Sequence, residues 1–187
     1  MDKLATTQVP LHPLLARRWS PRAFDRAHAL APEQLTALIE AARWAPSSNN
    51  TQPWRFLVTN RGETAFDRLF GTLSPGNQQW AGAASALILV VAEATGPFAL
   101  YDTGLAVGNL VAQAGHEDLV VHQMGGFDKV AAAERFQLAE SQQPVVVIAV
   151  GRHDVEAPLS DTFAERERAP RTRLSVDELL LRQSISA

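Results

Sequence analysis

The chain has 187 residues, of which 46% are hydrophobic, and it carries a formal net charge of −3. This length and composition predict a single globular domain, residues 1–187, with a sizeable core. The weakly acidic balance disfavours a nucleic-acid partner. The chain contains no cysteine, which excludes thiol catalysis, disulfides and iron–sulfur ligation, so any redox chemistry would have to come from a bound cofactor.

No segment is expected to cross or bind a membrane. Residues 1–10 lack the apolar centre of a signal peptide. The longest predominantly apolar stretch, residues 83–92, is shorter than the roughly 20 residues that span a bilayer. These features predict a soluble, cytoplasmic protein.

The first half of the chain alternates helical and strand patterns. Pro13 and Pro32 are typical of the first turn of a helix, and apolar residues follow Pro32 at helical spacing. Residues 54–58 read as a strand, and residues 64–70 read as a helix that ends at Gly71.

The second half continues this alternation. The predicted elements are a buried strand at 86–91, a long helix at 98–114, a short strand at 119–121, a helix at 128–138 and an apolar strand at 145–150. This order of strands and helices predicts an α/β layered domain.

The C-terminal segment has a different character. Residues 152–173 are polar, charged and without a clear period. Ser175 and Glu178 then form a capping-box pattern ahead of three leucines at 179–181. Such a helix can pack on its own domain or on a second subunit, and its pattern leaves both arrangements open.

The long helix also carries small residues at a regular interval. Gly104, Gly108 and Ala112 recur every four residues. A stripe of small side chains allows another helix to approach closely, either within the monomer or between subunits.

Two polar segments carry the strongest functional signal, and the first is residues 17–25. Pro21 favours an extended backbone, so the side chains of Arg18, Ser20 and Arg22 should share one face. Two guanidiniums and a hydroxyl on one face suit a phosphate or another anion. The alternative is a solvated basic patch.

The second segment, residues 45–56, lies between a predicted helix and a predicted strand. Pro46 and Pro53 restrict its backbone, and short amide and hydroxyl side chains stand between them. This composition favours a rigid loop that presents hydrogen-bonding groups to a planar heterocycle. The alternative is a simple turn that leads into the strand.

Together, the two segments resemble the FMN-dependent nitroreductase family. In that family Arg-x-Ser-x-(Arg/Lys)-x-Phe is followed, after one helix, by Pro-Ser-x-x-Asn-x-Gln-Pro-Trp, and here these motifs span residues 18–24 and 46–54. The resemblance implies an α+β, nitroreductase-like fold with a central mixed sheet flanked by helices. It also implies a homodimer with the long helix in its interface and a C-terminal arm, about residues 152–187, exchanged with the partner subunit.

The resemblance implies roles for the charged residues at an FMN site. Arg18 and Ser20 would bind the phosphate, and Arg171 and Arg173 would close over it. Arg22 would lie at the N1–C2=O edge of the ring, where a fixed positive charge stabilises the reduced cofactor.

Further roles fall on loops. Asn77 would pair with the N3/O2 region of the ring, the Gly126 backbone N–H would face N5, and Gly125 would allow the turn. Many relatives have lysine where this chain has Trp80. The tryptophan would remove a positive charge near O2 of the ring and offer an aromatic wall instead. The loop residues that would reach the flavin, the first three of them from the second subunit, are Pro46, Ser47, Ser48, Asn50 and Gln52.

The resemblance implies an enzyme that uses NADH or NADPH to reduce bound FMN, which then reduces a small acceptor such as a nitroaromatic or quinone in a ping-pong reaction. It requires no catalytic side chain. The histidine spacing gives no metal motif. The alternatives are another flavin reaction on the same fold, such as dehalogenation or flavin fragmentation, and a non-catalytic flavin-binding protein. Members of that family often insert a helical segment over the active site, where residues 92–102 of this chain are a short connection. The resemblance therefore implies a more open pocket.

Overall fold

A computed structural model describes residues 3–181, and residues 182–187 of the expected arm lie outside the described part. One sheet of four strands forms the centre, with the order β1-β2-β4-β3. These strands are β1 (Trp54–Asn60), β2 (Ala86–Glu93), β3 (Val120–Met124) and β4 (Gln142–Gly151). Helices cover both faces of the sheet, so the predicted α+β layered architecture is confirmed.

Six of the eight α-helices in residues 3–181 lie near the positions that the sequence indicates. The eight are α1 (Pro13–Arg17), α2 (Pro32–Arg43), α3 (Thr64–Phe70), α4 (Pro75–Ala81), α5 (Ala99–His116), α6 (Lys129–Arg135), α7 (Asp161–Arg168) and α8 (Val176–Leu179). Proline opens α1, α2 and α4, where its missing N–H costs nothing. The Asp128 side chain caps α6, and the Ser175–Glu178 capping box opens α8.

Two helices were not predicted. The first turn of α4 contains Pro75, Gly76 and Asn77, which have low helix propensity on average, and only its end is buried. In α7, Phe163 is the buried residue of an otherwise charged segment, so the helix has almost no apolar stripe to detect. The description of residues 152–173 as unpatterned was therefore wrong for α7.

The sheet is antiparallel at every pairing of the described strands, where a mixed sheet was expected. The strands β2 and β3 are joined by α5 and run in the same direction, as a βαβ pattern predicts. However, β4 inserts between them and pairs antiparallel with both. A strand–helix–strand order fixes relative direction but does not show which strands become neighbours.

Strand β2 is buried along nearly its whole length and separates two cores. Its Leu87 and Leu89 side chains pack on the face covered by α3, α4 and α6. Ile88 and Val90 point to the opposite face, which α2 and α5 cover. The period-two alternation of strand side chains therefore divides one continuous apolar run between the two faces.

Within residues 3–181, no helix has both the length and the apolar character needed to cross a membrane.

We expect Ile88→Ala to lower the free energy of unfolding by about 2–5 kcal/mol, because the side chain is fully buried between strand and helices. Val130→Ala is the control, since Val130 is exposed on α6. Urea denaturation of both variants measures the difference. Equal midpoints for the two variants would contradict the placement of Ile88 in the core.

Candidate functional site

The segment that follows α1 is extended and lies against β3. Arg18 closes α1 with extended backbone angles, and its Nη1 atom donates to the Ser20 hydroxyl at 3.3 Å. Two residues on, the Pro21 carbonyl oxygen lies 3.0 Å from Nδ1 of His122 in β3. Arg18 and Ser20 therefore share a face, as the spacing predicts, and a hydrogen bond ties the segment to the sheet.

Three arginines from distant parts of the chain gather beside Ser20. Burial lowers the pKa of Arg18, and the neighbouring positive charges of Arg171 and Arg173 lower it further. Arg171 is held there by donating to the Lys3 and Ala16 carbonyl oxygens at 2.6 and 2.7 Å. Among residues 3–181, no carboxylate oxygen lies within ion-pair distance of these three guanidiniums. The cluster is a concentrated positive charge suited to an anion.

Arg22 was predicted to share the face of Arg18 and Ser20, but it has a different set of neighbours. Its guanidinium lies between the rings of Trp80 and Phe163, at 6.0 and 5.6 Å from their centres. Its Nη1 atom is 3.6 Å from Oε1 of Glu167 in α7. Burial lowers the pKa of Arg22, and the charge of Glu167 opposes this effect. The residue is therefore paired and packed, unlike a solvated surface arginine.

The turn after β3 is fixed by hydrogen bonds to α4. The Gly126 carbonyl oxygen accepts from the Ser74 N–H and from the Asn77 side-chain amide, both at 2.9 Å. A Cβ atom at Gly126 would lie 3.1 Å from the Ser74 hydroxyl, so glycine permits this close approach. The structure thus joins Asn77 and Gly126, two residues that the resemblance assigns to the ring.

Gly125 does not have the expected importance for the turn. A Cβ atom at this position would meet nothing within 4 Å, and Gly125 is not among the residues with positive φ. Neither a positive φ nor a close contact requires glycine at this position, so the expectation that Gly125 allows the turn was wrong.

Trp80 is not an aromatic wall open to a ligand. Its ring is 3% exposed and packs between Phe24 and His122, with ring centres 6.2 and 4.5 Å away. Trp80 follows Asn77 by one helical turn on α4, so Asn77 faces the turn while Trp80 fills the space beneath it. Trp80 is instead part of the hydrophobic core.

The loop before β1 is held in an unusual conformation. Asn49, Asn50 and Gln52 all have φ near +50°, a region that residues other than glycine adopt infrequently. The Gln52 N–H donates to the Ser47 hydroxyl, and the Gln52 side chain donates to the Asn50 carbonyl oxygen, each at 3.0 Å. Gln52 therefore holds the loop in shape through the Ser47 hydroxyl and the Asn50 carbonyl oxygen.

A buried carboxylate anchors the same loop to α5. The Ser48 N–H donates to Oδ2 of Asp102 at 3.0 Å. Asp102 is 4% exposed and lies in the first turn of α5, where the helix dipole favours a negative charge. Pro46 lies on the exposed side of the loop.

Within a single chain, the loop at 46–52 lies far from the cluster of Arg18, Arg171 and Arg173. The loop contacts α5 at Asp102, whereas Leu14 of α1 packs at Gly115 near the other end of this helix. The two points are about 20 Å apart along the axis. The loop also enters β1 at one edge of the sheet, and Gly126 follows β3 at the other edge, about 14 Å across. The predicted site residues therefore form two separate groups.

The profile of the Nitroreductase family matches residues 15–73 and 63–152. The chain belongs to the nitroreductase family. Among curated relatives of this nitroreductase-family protein, an uncharacterized 15.4 kDa protein of Mycolicibacterium smegmatis is 36% identical over 138 residues, covering 67% of this chain and 92% of the relative. A Bacillus subtilis protein provisionally named an NAD(P)H nitroreductase is 28% identical over 200 residues, covering 81% and 95%.

A solved structure confirms the fold. A protein described as an oxidoreductase containing FMN superposes with a TM-score of 0.90 at 30% identity, and the match covers 97% of this chain and 96% of the other. The nitroreductase-like fold expected from the two motifs is therefore confirmed. Over residues 3–181, no three histidine, aspartate or glutamate side chains are grouped as a metal site.

Three residues that shape the site were not found from the sequence. His122 and Glu167 join the site through contacts that span 101 and 145 positions, and no local pattern marks such pairs. Asp102 left a weak signal, because it is an acidic residue in the first turn of an otherwise apolar helix.

The pKa of His122 gives a pH prediction. Burial lowers this pKa to about 4, against the opposing effect of hydrogen bonds to the Pro21 and Ser20 backbone. The folded chain therefore holds His122 neutral where the unfolded chain would bind a proton. The contribution of His122 to the free energy of unfolding should be fully present above about pH 6.5. It should decrease as the pH falls toward 4, by on the order of 3 kcal/mol.

Urea denaturation between these pH values measures the effect. His122→Gln should remove this part of the pH dependence, whereas the exposed His116→Gln should retain it. A His122→Gln curve that runs parallel to the wild-type curve would contradict the assignment.

Proposed function

We propose that this chain is an FMN-dependent oxidoreductase that takes electrons from NADH or NADPH and delivers them to a small acceptor such as a nitroaromatic or a quinone. The related Bacillus subtilis protein carries NAD(P)H nitroreductase in its name, and the structure with the TM-score of 0.90 is described as containing FMN. Both descriptions concern those proteins and support the proposal for this one.

The observation that carries the proposal is the cluster of Arg18, Arg171 and Arg173. The positive charges of Arg171 and Arg173 lower the pKa of Arg18 because they repel its guanidinium, and a bound anion would relieve this repulsion. A phosphate monoester carries close to two negative charges and accepts several hydrogen bonds. The Ser20 hydroxyl adds a neutral donor to the same face. This donor set fits the phosphate of FMN.

The other end of the proposed cofactor site is the turn at Gly126. Ser74 and Asn77 both donate to the Gly126 carbonyl oxygen, which fixes the orientation of this peptide. The Gly126 residue is exposed, and its N–H has no acceptor within the described part of the chain. We assign this N–H to the N5 atom of the ring and Asn77 to the neighbouring N3/O2 edge.

Between these ends, β3 supplies the connection. His122 is hydrogen-bonded to the Ser20–Pro21 backbone, and β3 leads from His122 to Gly126. The phosphate group and the ring group are therefore mounted on one rigid strand. Arg22 is assigned to the N1–C2=O edge, where its charge would favour the reduced cofactor.

When bound, FMN supplies the hydride chemistry that the side chains of this protein lack. The chain itself binds the phosphate, orients the ring and places Arg22 beside its pyrimidine edge. No acid or base from the protein is assigned. The nicotinamide donor and the acceptor are proposed to bind in turn at the same exposed face.

We further propose a homodimer in which residues 46–52 of one subunit complete the site of the other. This loop cannot reach the Arg18 cluster of its own chain. The face of α5 at Gly104 and Gly108 is exposed, with open space beside both glycines, and Tyr101 on the same helix is 68% exposed. Exposed leucines also mark the C-terminal segment, at 174, 179, 180 and 181. A second copy of the chain would cover these apolar surfaces. Residues 161–173 pack on their own chain through Phe163, Glu167 and Arg171, so exchange of the C-terminal arm stays a prediction for the residues after Arg173, as does a cytoplasmic location.

The proposed function is tested by purifying the protein with FMN and adding NADH or NADPH without oxygen. We expect bound flavin that loses its oxidised absorption bands and is re-oxidised by a nitroaromatic or a quinone.

Arg18→Ala should weaken FMN binding by about tenfold to a hundredfold, because the phosphate loses one charge-assisted partner. Arg17→Ala, its exposed neighbour, is the control. Flavin that binds but is not reduced would indicate a binding protein.

The proposed dimer is tested by a chain that ends at Arg173. This truncation retains Arg171 and Arg173 but removes the exposed leucines of the C-terminal segment. We expect it to dissociate at concentrations where the full chain is dimeric and to melt at a lower temperature. Sedimentation and thermal unfolding provide the measurements, with Val130→Ser as a control for loss of exposed apolar surface elsewhere. An equally stable truncated dimer would exclude a role for this segment.

A further inference from the structure

Glu167 contacts Arg22 through one carboxylate oxygen. Its Oε1 atom accepts the Arg22 backbone N–H at 3.0 Å and lies 3.6 Å from the Arg22 guanidinium. The Arg22 side chain is only 22% exposed and the Glu167 side chain 12%. The second oxygen, Oε2, is buried and has no hydrogen-bond partner within the described part of the chain. This carboxylate therefore interacts with Arg22 in a poorly hydrated setting.

The position of Glu167 is set by the same helix that packs on Arg22. Phe163 lies one turn before Glu167 on α7, and its ring covers one side of the guanidinium. The Trp80 ring centre also lies 6.0 Å from the guanidinium. Burial raises the pKa of Glu167, and contacts with Arg22 and Lys3 oppose that rise. Helix α7 thus brings a negative charge to Arg22 and restricts where its guanidinium can lie.

We propose that Glu167 is a positioning residue that sets how strongly Arg22 favours the reduced form of the cofactor. This inference rests on the proposed function, in which Arg22 lies at the pyrimidine edge of FMN. A positive charge there favours reduction, and a nearby carboxylate offsets part of that charge. Because both side chains are mostly buried, solvent and salt screen the effect only weakly. Glu167 therefore keeps the reduction potential lower than Arg22 alone would set it.

The test is the midpoint potential of bound FMN in Glu167→Gln. The amide oxygen can still accept the Arg22 N–H, while the negative charge is lost. We expect the equilibrium to move toward reduced flavin by about fivefold, which for a two-electron couple raises the midpoint by about 20 mV. FMN affinity should not show the loss expected for Arg18→Ala. Spectroelectrochemical titration measures the midpoint, and fluorescence measures the affinity.

Four matched variants separate charge from structure. Glu165→Gln removes the same charge from an exposed position on α7 and should leave the midpoint unchanged. Glu167→Asp keeps the charge and should stay close to the wild type. Glu167→Ala gives a second uncharged variant and should raise the midpoint, so the test survives if one substitution impairs folding. Arg22→Gln should shift the midpoint in the opposite direction, downward.

The outcomes distinguish this inference from the proposed function. A wild-type chain that does not retain FMN overturns the proposed function itself. A second outcome is that NADH or NADPH reduces FMN bound to the wild type while uncharged variants at Glu167 have the midpoint of Glu165→Gln. In that case the inference is wrong and the function stands. Loss of FMN from folded Glu167→Gln would also overturn it, because the carboxylate would then hold the cofactor rather than set its potential.

Discussion

The burial of β2 and of residues 147–151 in β4 on both faces is the constraint on which the rest of the molecule depends. These parts of the central strands have no face left for polar groups, and helices must cover them on each side. Polar and charged chemistry is therefore confined to the two outer strands and the segments that adjoin them. At the β3 edge lie Ser20, His122 and the Gly126 turn, and at the β1 edge lies the loop at 46–52. The separation of the site into two groups follows directly from this core.

The β3 edge concentrates positive charge while the chain as a whole is weakly acidic. Arg18, Arg171 and Arg173 have no carboxylate among their described ion-pair contacts, whereas Arg22 a short distance away is paired with Glu167. Both arrangements are built from residues in the same two segments of chain. The fold thus distinguishes an arginine group that can accept a dianion from an arginine whose charge is already partly balanced. This division matches the different demands of a phosphate and of a redox-active ring.

The sequence predicted the parts of the site that depend on local backbone geometry. The extended segment at 18–22 and the loop at 46–52 carry proline or short polar residues whose local preferences are strong. It failed where the outcome depends on packing between distant segments. Whether Trp80 is a wall or part of the core is decided by the positions of Phe24 and His122. The partner of Arg22 comes from α7, a helix without an apolar stripe, and the insertion of β4 between β2 and β3 has no signature along the chain.

The conformation of the loop at 46–52 has a consequence for how two chains would meet. Asn49, Asn50 and Gln52 already occupy the left-handed region in the single chain, held by the Ser47 hydroxyl and by Asp102. The conformational entropy of ordering this loop is therefore lost when the chain folds and not when the subunits associate. Association would therefore meet a preformed loop, and no slow ordering of residues 46–52 would limit its rate.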